Sequence, residues 1–142
     1  MPKLGDSGKL RDLGLLVIRL IVGFSVAAFH GWGKISAGPE GWERTGGAMA
    51  NLGVAFVPVF WGFLAAFSEF FCSIFIMIGL FTRPAAALLA CTMGVAMMRH
   101  LSLPADNPSS GWSNASHAME LFAVAVGLML TGPGRFALWR KF

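Results

Sequence analysis

Apolar residues in this chain fall into four long runs broken by short polar stretches, with neither strict alternation nor a sustained heptad. The runs cover roughly residues 13–30, 57–80, 84–100 and 117–131. A bilayer core about 30 Å thick is crossed by about 20 helical residues, so each run predicts a membrane-spanning helix. Backbone groups in lipid are satisfied only inside a helix or a closed barrel, and the period-two signature of a barrel strand is missing. The expected fold is therefore all-α, a single domain over 1–142 built as a bundle of four transmembrane helices. Only Phe81, Thr82, Arg83 and Pro84 separate the second run from the third, which requires an antiparallel hairpin, and Pro84 suits the first turn of a helix.

The connections differ in character. Between the first and second runs, Trp42, Met49, Leu52 and Phe56 recur at helical spacing, which predicts a short helix lying along the membrane interface. The stretch from Leu101 to Ser116 is rich in Pro, Ser and Asn and reads as coil.

Composition changes the picture mainly by exclusion. With 56% hydrophobic and 13% charged residues and a mean hydropathy of +0.67, the chain has lipid as its solvent and no room for a separate soluble catalytic domain. The net charge of +4 does not point to nucleic acid, because the basic residues gather at the ends of the apolar runs. Lys3, Lys9, Arg11, Arg83, Arg135, Arg140 and Lys141 fall on one side, against Lys34, Arg44 and Arg99 on the other. The excess predicts that both termini face the cytoplasm. The basic start followed by an apolar run resembles a signal peptide, but Arg19 in the middle of that run argues for a retained helix.

Charges inside a bilayer cost about 2.5–3.5 kcal/mol each, so every one needs a reason. Counted from the outer ends of their runs, Arg19 lies about 16 Å and Glu69 about 18 Å deep, which predicts that they pair. Such a pair either fixes helix packing alone or lets Glu69 handle protons or a redox ligand while Arg19 balances its charge. Nearer the outer surface, His30, Lys34, Arg99, His100, His117 and Glu120 form a polar layer that holds all three histidines. Arg19, Gly23, Ala27, His30 and Lys34 share one helical face, and so do His117, Glu120, Val124, Gly127 and Thr131. The layer reads either as interfacial residues with satisfied hydrogen bonds or as a site for a quinone or other polar ligand. A metal held by His30, His100 and His117 is a weaker alternative, because each sits on a different helix with no HxxxH or ExxH pair, and a haem held by two histidines is weaker still.

Cys72 and Cys91 fall at similar depth on adjacent helices, where a redox pair is geometrically conceivable, although buried thiols usually serve as small packing groups. The two halves of the chain also match loosely as hairpin repeats, through His30 and His100, Glu69 and Glu120, and Arg83 and Arg135.

From Leu15 to Phe136 the order of these residues resembles the DoxX family of small four-helix membrane proteins. The resemblance is carried by Arg19, by His30, Gly31 and Lys34, by Glu69 followed by Gly79, Leu80, Phe81, Thr82 and Arg83, by His100, by Glu120, and by Gly132, Pro133, Gly134 and Arg135. Ser73 stands where the family more often has glycine. The resemblance implies a bacterial inner-membrane protein associated with oxidoreductase systems, which include subunits of thiosulfate:quinone oxidoreductase. On that basis the expected function is electron transfer to or from quinone within a redox complex or homo-oligomer. His30 and His100 are expected to donate to the quinone carbonyls, Glu69 and Glu120 to carry protons, and Arg19 and Lys34 to balance charge, with His117 and Arg99 lining the site. The chain has no nucleotide fingerprint or CxxC of its own, so electrons would come from a partner protein or a substrate. Two alternatives come from other classes: a non-catalytic membrane scaffold, and a proton or small-solute transporter.

Overall fold

The computed structural model describes residues 4–139, with side chains from residue 7 onward, and these are helical with no strand among them. Lys3, Arg140 and Lys141 of the charge count lie outside this range. The first rod is continuous from α1 (Leu4–Ser25) through a π-helical stretch (Val26–Gly31) into α2 (Trp32–Ile35). A helical insert follows, made of α3 (Gly38–Gly46) and a 3-10 turn (Gly47–Leu52). The second rod joins α4 (Pro58–Phe67), a second π-helical stretch (Ser68–Cys72) and α5 (Ser73–Ile78). The third and fourth rods are α6 (Thr82–Ser102) and α7 (Trp112–Thr131).

The rods run up, down, up and down. At one end of the α6–α7 pair, the Gly111 amide donates to the His100 carbonyl at 3.1 Å. At the other end, Arg83 packs against Gly132. The first and second rods are also antiparallel, since Gly23 meets Ser73 and Met77 while Gly31, further along, meets Glu69. Alanines fill much of the interface, including Ala66, Ala86, Ala115 and Ala125, around the larger Val26, Ile76, Leu89 and Leu128. Small residues let helices approach closely where lipid offers no hydrophobic drive for association.

The large apolar side chains that remain outside, such as Leu10, Ile21, Phe29 and Leu130, face the medium that covers a membrane protein. Three helical segments, Ser7–Ile35, Pro58–Ile78 and Thr82–Ser102, are long and apolar enough to cross a bilayer. At 20 residues α7 is long enough too, about 30 Å, but its first turns carry Asn114, His117 and Glu120. Of the residues that predicted a short helix in this connection, Trp42 lies in α3, Met49 and Leu52 in the 3-10 turn and Phe56 beyond both; the Trp42 backbone touches α4 at Gly62, where a Cβ would overlap it.

Arg19 is 1% exposed and does not pair with Glu69. Its guanidinium donates to four carbonyls instead: Ile76 at 2.9 Å and Met77 at 3.3 Å in the last turn of α5, and Pro133 at 2.6 Å and Phe136 at 2.9 Å in the segment after α7. The depth estimate failed because the first rod continues five residues past His30, to Ile35. Counted from the true ends, Arg19 lies about 24 Å and Glu69 about 16 Å along their rods, which carries Arg19 past Glu69 towards the last turn of α5, whose carbonyls it meets. Carbonyls of the last helical turn carry the negative end of the helix dipole and have spare accepting capacity. Gly79 completes the cap. It adopts φ +74°, and the Leu80 amide bonds the Phe75 carbonyl at 2.8 Å while its own amide bonds that of Ile76, the pairing of a Schellman motif. A side chain at Gly79 would also collide with the Arg19 guanidinium.

Two outcomes are expected. Arg19→Met removes four hydrogen bonds to carbonyls, two of them buried, so thermal unfolding in detergent should show a loss on the order of 3 kcal/mol, and limited proteolysis should release the segment after α7, with Arg19→Lys falling between. Gly31→Ala places a Cβ about 2.5 Å from the Glu69 carbonyl and should cost about 1–3 kcal/mol, read from the same melt.

Candidate functional site

The two π-helical stretches face each other, and they carry His30 and Glu69. An extra residue in a helical turn changes which side chains face inward, and such bulges are common at functional sites. Close approach at Gly31 then presses the first rod against the Glu69 backbone. As a result the Glu69 carboxylate is 1% exposed, deep between the rods.

Its partner is Lys34, whose ammonium donates to Glu69 Oε1 at 2.5 Å. Lys34 is half-buried and reaches inward from α2. The other carboxylate oxygen, Oε2, is buried and has no partner among the described residues. A lone buried oxygen of an ionised group costs free energy unless something donates to it. Glu69 and Lys34 line one end of a cavity of about 220 Å³ bounded by α4, α6 and the helical insert. Leu64, Leu88, Val95 and Met49 make its walls apolar, Lys34 and Glu69 form its polar end, and Arg99 sits at its edge. The Ser68 and Thr92 hydroxyls, 2.6 Å apart, tie the second rod to α6 beside it. The insert forms one wall and is pinned by the Trp42 indole, which donates to the Lys34 carbonyl at 2.9 Å and stacks edge-on against Phe63. This arrangement can bind a small group that is largely apolar, offers a donor to Oε2, and carries an acceptor for Lys34 or Arg99.

The remaining predicted residues are divided among other places. His30, in the first π-helical stretch, and His117 of α7 meet with Nε2 atoms 3.2 Å apart, and neither lines the cavity. His100 turns into the loop after α6, where its Nδ1 contacts the Ser109 carbonyl at 2.7 Å. Glu120 is exposed on α7. His100 therefore does not join the other two histidines, and no cluster of three metal-ligating side chains forms among the described residues. The repeat fails at the level of side chains as well, because Glu69 is buried and ion-paired while Glu120 faces out. Cys72 and Cys91 are both free: Cys72 packs in the core, whereas Cys91 faces the cavity.

Two features escaped the sequence reading. Thr45 and Arg44 of the insert come up beside Lys34 and Arg99, which only the docking of α3 on α4 reveals. Asp12 is 1% exposed, bonded through Oδ1 to Arg11 at 3.2 Å, with Oδ2 unpartnered. Its signal was present, as an acid directly before the first apolar run.

Comparison with known proteins agrees with this architecture. The DoxX family model matches residues 14–101. A relative, inner membrane protein YphA of Escherichia coli (strain K12), is 32% identical over 143 aligned positions, which cover 96% of this chain and 95% of the relative. No solved structure matches the chain. The matched region holds Arg19, Lys34, Glu69 and both π-helical stretches, and with the apolar spans around them it makes this chain a membrane protein of the DoxX family.

Proposed function

We propose that the chain is a bacterial inner-membrane subunit of a redox system whose Glu69 cavity receives the head group of a quinone-class carrier. The observation that carries this reading is Glu69 itself, a buried carboxylate at the end of an apolar-walled cavity, with one oxygen held by Lys34 and the other without a partner among the described residues. The volume lies below the roughly 300–1,000 Å³ of pockets that enclose drug-sized ligands, which suits a head group whose tail stays in lipid. A bound quinone would supply a two-electron, two-proton couple. The chain's part is to orient and to move protons: Lys34 and Arg99 donate to the carbonyl oxygens, and Glu69 Oε2 accepts from a hydroxyl in the reduced form or returns the proton. This assignment transfers the carbonyl contacts from His30 and His100, which do not line the cavity, to Lys34 and Arg99. Glu120 has no part in it, and Arg19 acts by packing. Electrons come from a partner protein or a substrate.

The relative's inner-membrane location supports the same membrane for this chain. We take α7 as the fourth span, since it lies antiparallel along the full length of α6, and both termini as cytoplasmic on the excess of Lys and Arg at their end. A scaffold is the competing reading, favoured by Arg19, whose charge is spent wholly on holding carbonyls.

Glu69→Gln separates the two. In membranes containing the assembled complex, the variant should keep its partners and lower quinone-dependent turnover at least 100-fold, in line with the usual contribution of a positioned acid or base. Loss of assembly at unchanged turnover per complex would favour the scaffold.

A further inference from the structure

One face of α6 lines the cavity from Leu88 to Arg99, about 16 Å along the helix. Cys91 belongs to that face, and it is exposed as well as cavity-lining. It stands in the middle of the 21-residue α6, a segment long and apolar enough to cross a bilayer. At that depth the surroundings are acyl chains, with water distant on both sides. A side chain that lines a cavity and is also exposed at mid-span marks an opening of that cavity into lipid.

The helix packing explains the opening. The second rod and α6 are tied at the second π-helical stretch, where the Ser68 and Thr92 hydroxyls stand 2.6 Å apart. Beyond that tie α6 packs against α5 on one side and the 3-10 turn of the insert on the other, but it barely meets α4. The two helices splay, the insert covers the gap at its outer end, and the flank stays open at Cys91. Glu69 follows Ser68 and Cys91 precedes Thr92, so the buried carboxylate and the opening lie at nearly the same depth.

We propose that the cavity takes its ligand from within the membrane through this opening, and that the tail of the seated carrier leaves past Cys91 between the second rod and α6. The inference rests on the quinone reading of the Glu69 cavity and adds a substrate class to it: a lipid-dissolved carrier whose head bears an aliphatic tail. A volume of about 220 Å³ is below that of pockets which enclose a whole drug-sized molecule, so a tail has to remain outside. Cys91 then sets specificity by being small, since a bulky side chain there fills the gap that the tail needs.

The test uses the full chain in nanodiscs, with empty nanodiscs as the blank. Equilibrium binding is measured by calorimetry for a dimethoxybenzoquinone with a decyl tail and for its tail-less parent. Cys91→Trp should weaken binding of the tailed quinone at least tenfold and leave the tail-less one as it is in the wild type. Leu130→Trp, which adds the same ring at an exposed position of α7 away from the cavity, should change neither. A reading that needs no variant comes from a quinone with a diazirine on the first carbons of its tail, which should crosslink to α6 at or beside Cys91. Three results would overturn the proposal while leaving the quinone reading intact: tailed-quinone binding untouched by Cys91→Trp, equal weakening of both quinones, or crosslinks confined to the insert. Failure of both quinones to bind the wild type would instead sink the quinone reading, and this inference with it.

Discussion

A charged or polar group inside a bilayer has no water to solvate it, so the protein must supply every partner from its own atoms. The two deepest ionisable side chains meet this constraint in different ways. Arg19 spends its guanidinium on four carbonyls, which closes the end of α5 and ties the segment after α7 to the bundle. Glu69 is only half satisfied, by Lys34 on one oxygen. A saturated group holds structure together, and an unsaturated one beside a cavity is poised to bind. The division of labour between architecture and chemistry follows from this difference.

Backbone features place these groups. The facing π-helical stretches and the close contact at Gly31 decide that Glu69 points between the rods and not at lipid. Gly62 and Trp42 bring the insert down as a wall over the cavity, and that wall carries Arg44 and Thr45 to Lys34 and Arg99. Breaking the Lys34 pair would leave an uncompensated buried carboxylate, a change that typically costs about 3–5 kcal/mol. The pair therefore has structural weight whatever the cavity holds.

The all-helical membrane character was legible because lipid demands long apolar runs, and the runs at 57–80 and 84–100 correspond closely to the second rod and to α6. The significance of Arg19, Lys34 and Glu69 was legible for the same energetic reason. Their pairing was not. Depth counted from His30 took the end of the apolar run as the end of the helix, although the face shared with Lys34 carries the helix further, and a π-helical stretch leaves no mark in hydrophobic periodicity. His100 and Glu120 looked equivalent to His30 and Glu69 by position along the chain. Which side of a helix faces its neighbours depends on rotation about its axis, and the structure turns Glu120 outward.

Glu69 lines the cavity, and the proposed function requires that a ligand seated there interacts with its carboxylate. Infrared difference spectroscopy of the protein in lipid, with and without a short-tailed quinone and with isotope-labelled glutamate, reads that carboxylate directly. The account predicts a ligand-induced shift of a labelled carboxyl band that disappears when Glu69 is replaced by Gln. A difference spectrum without any glutamate band, from protein shown to have bound the quinone, would contradict it.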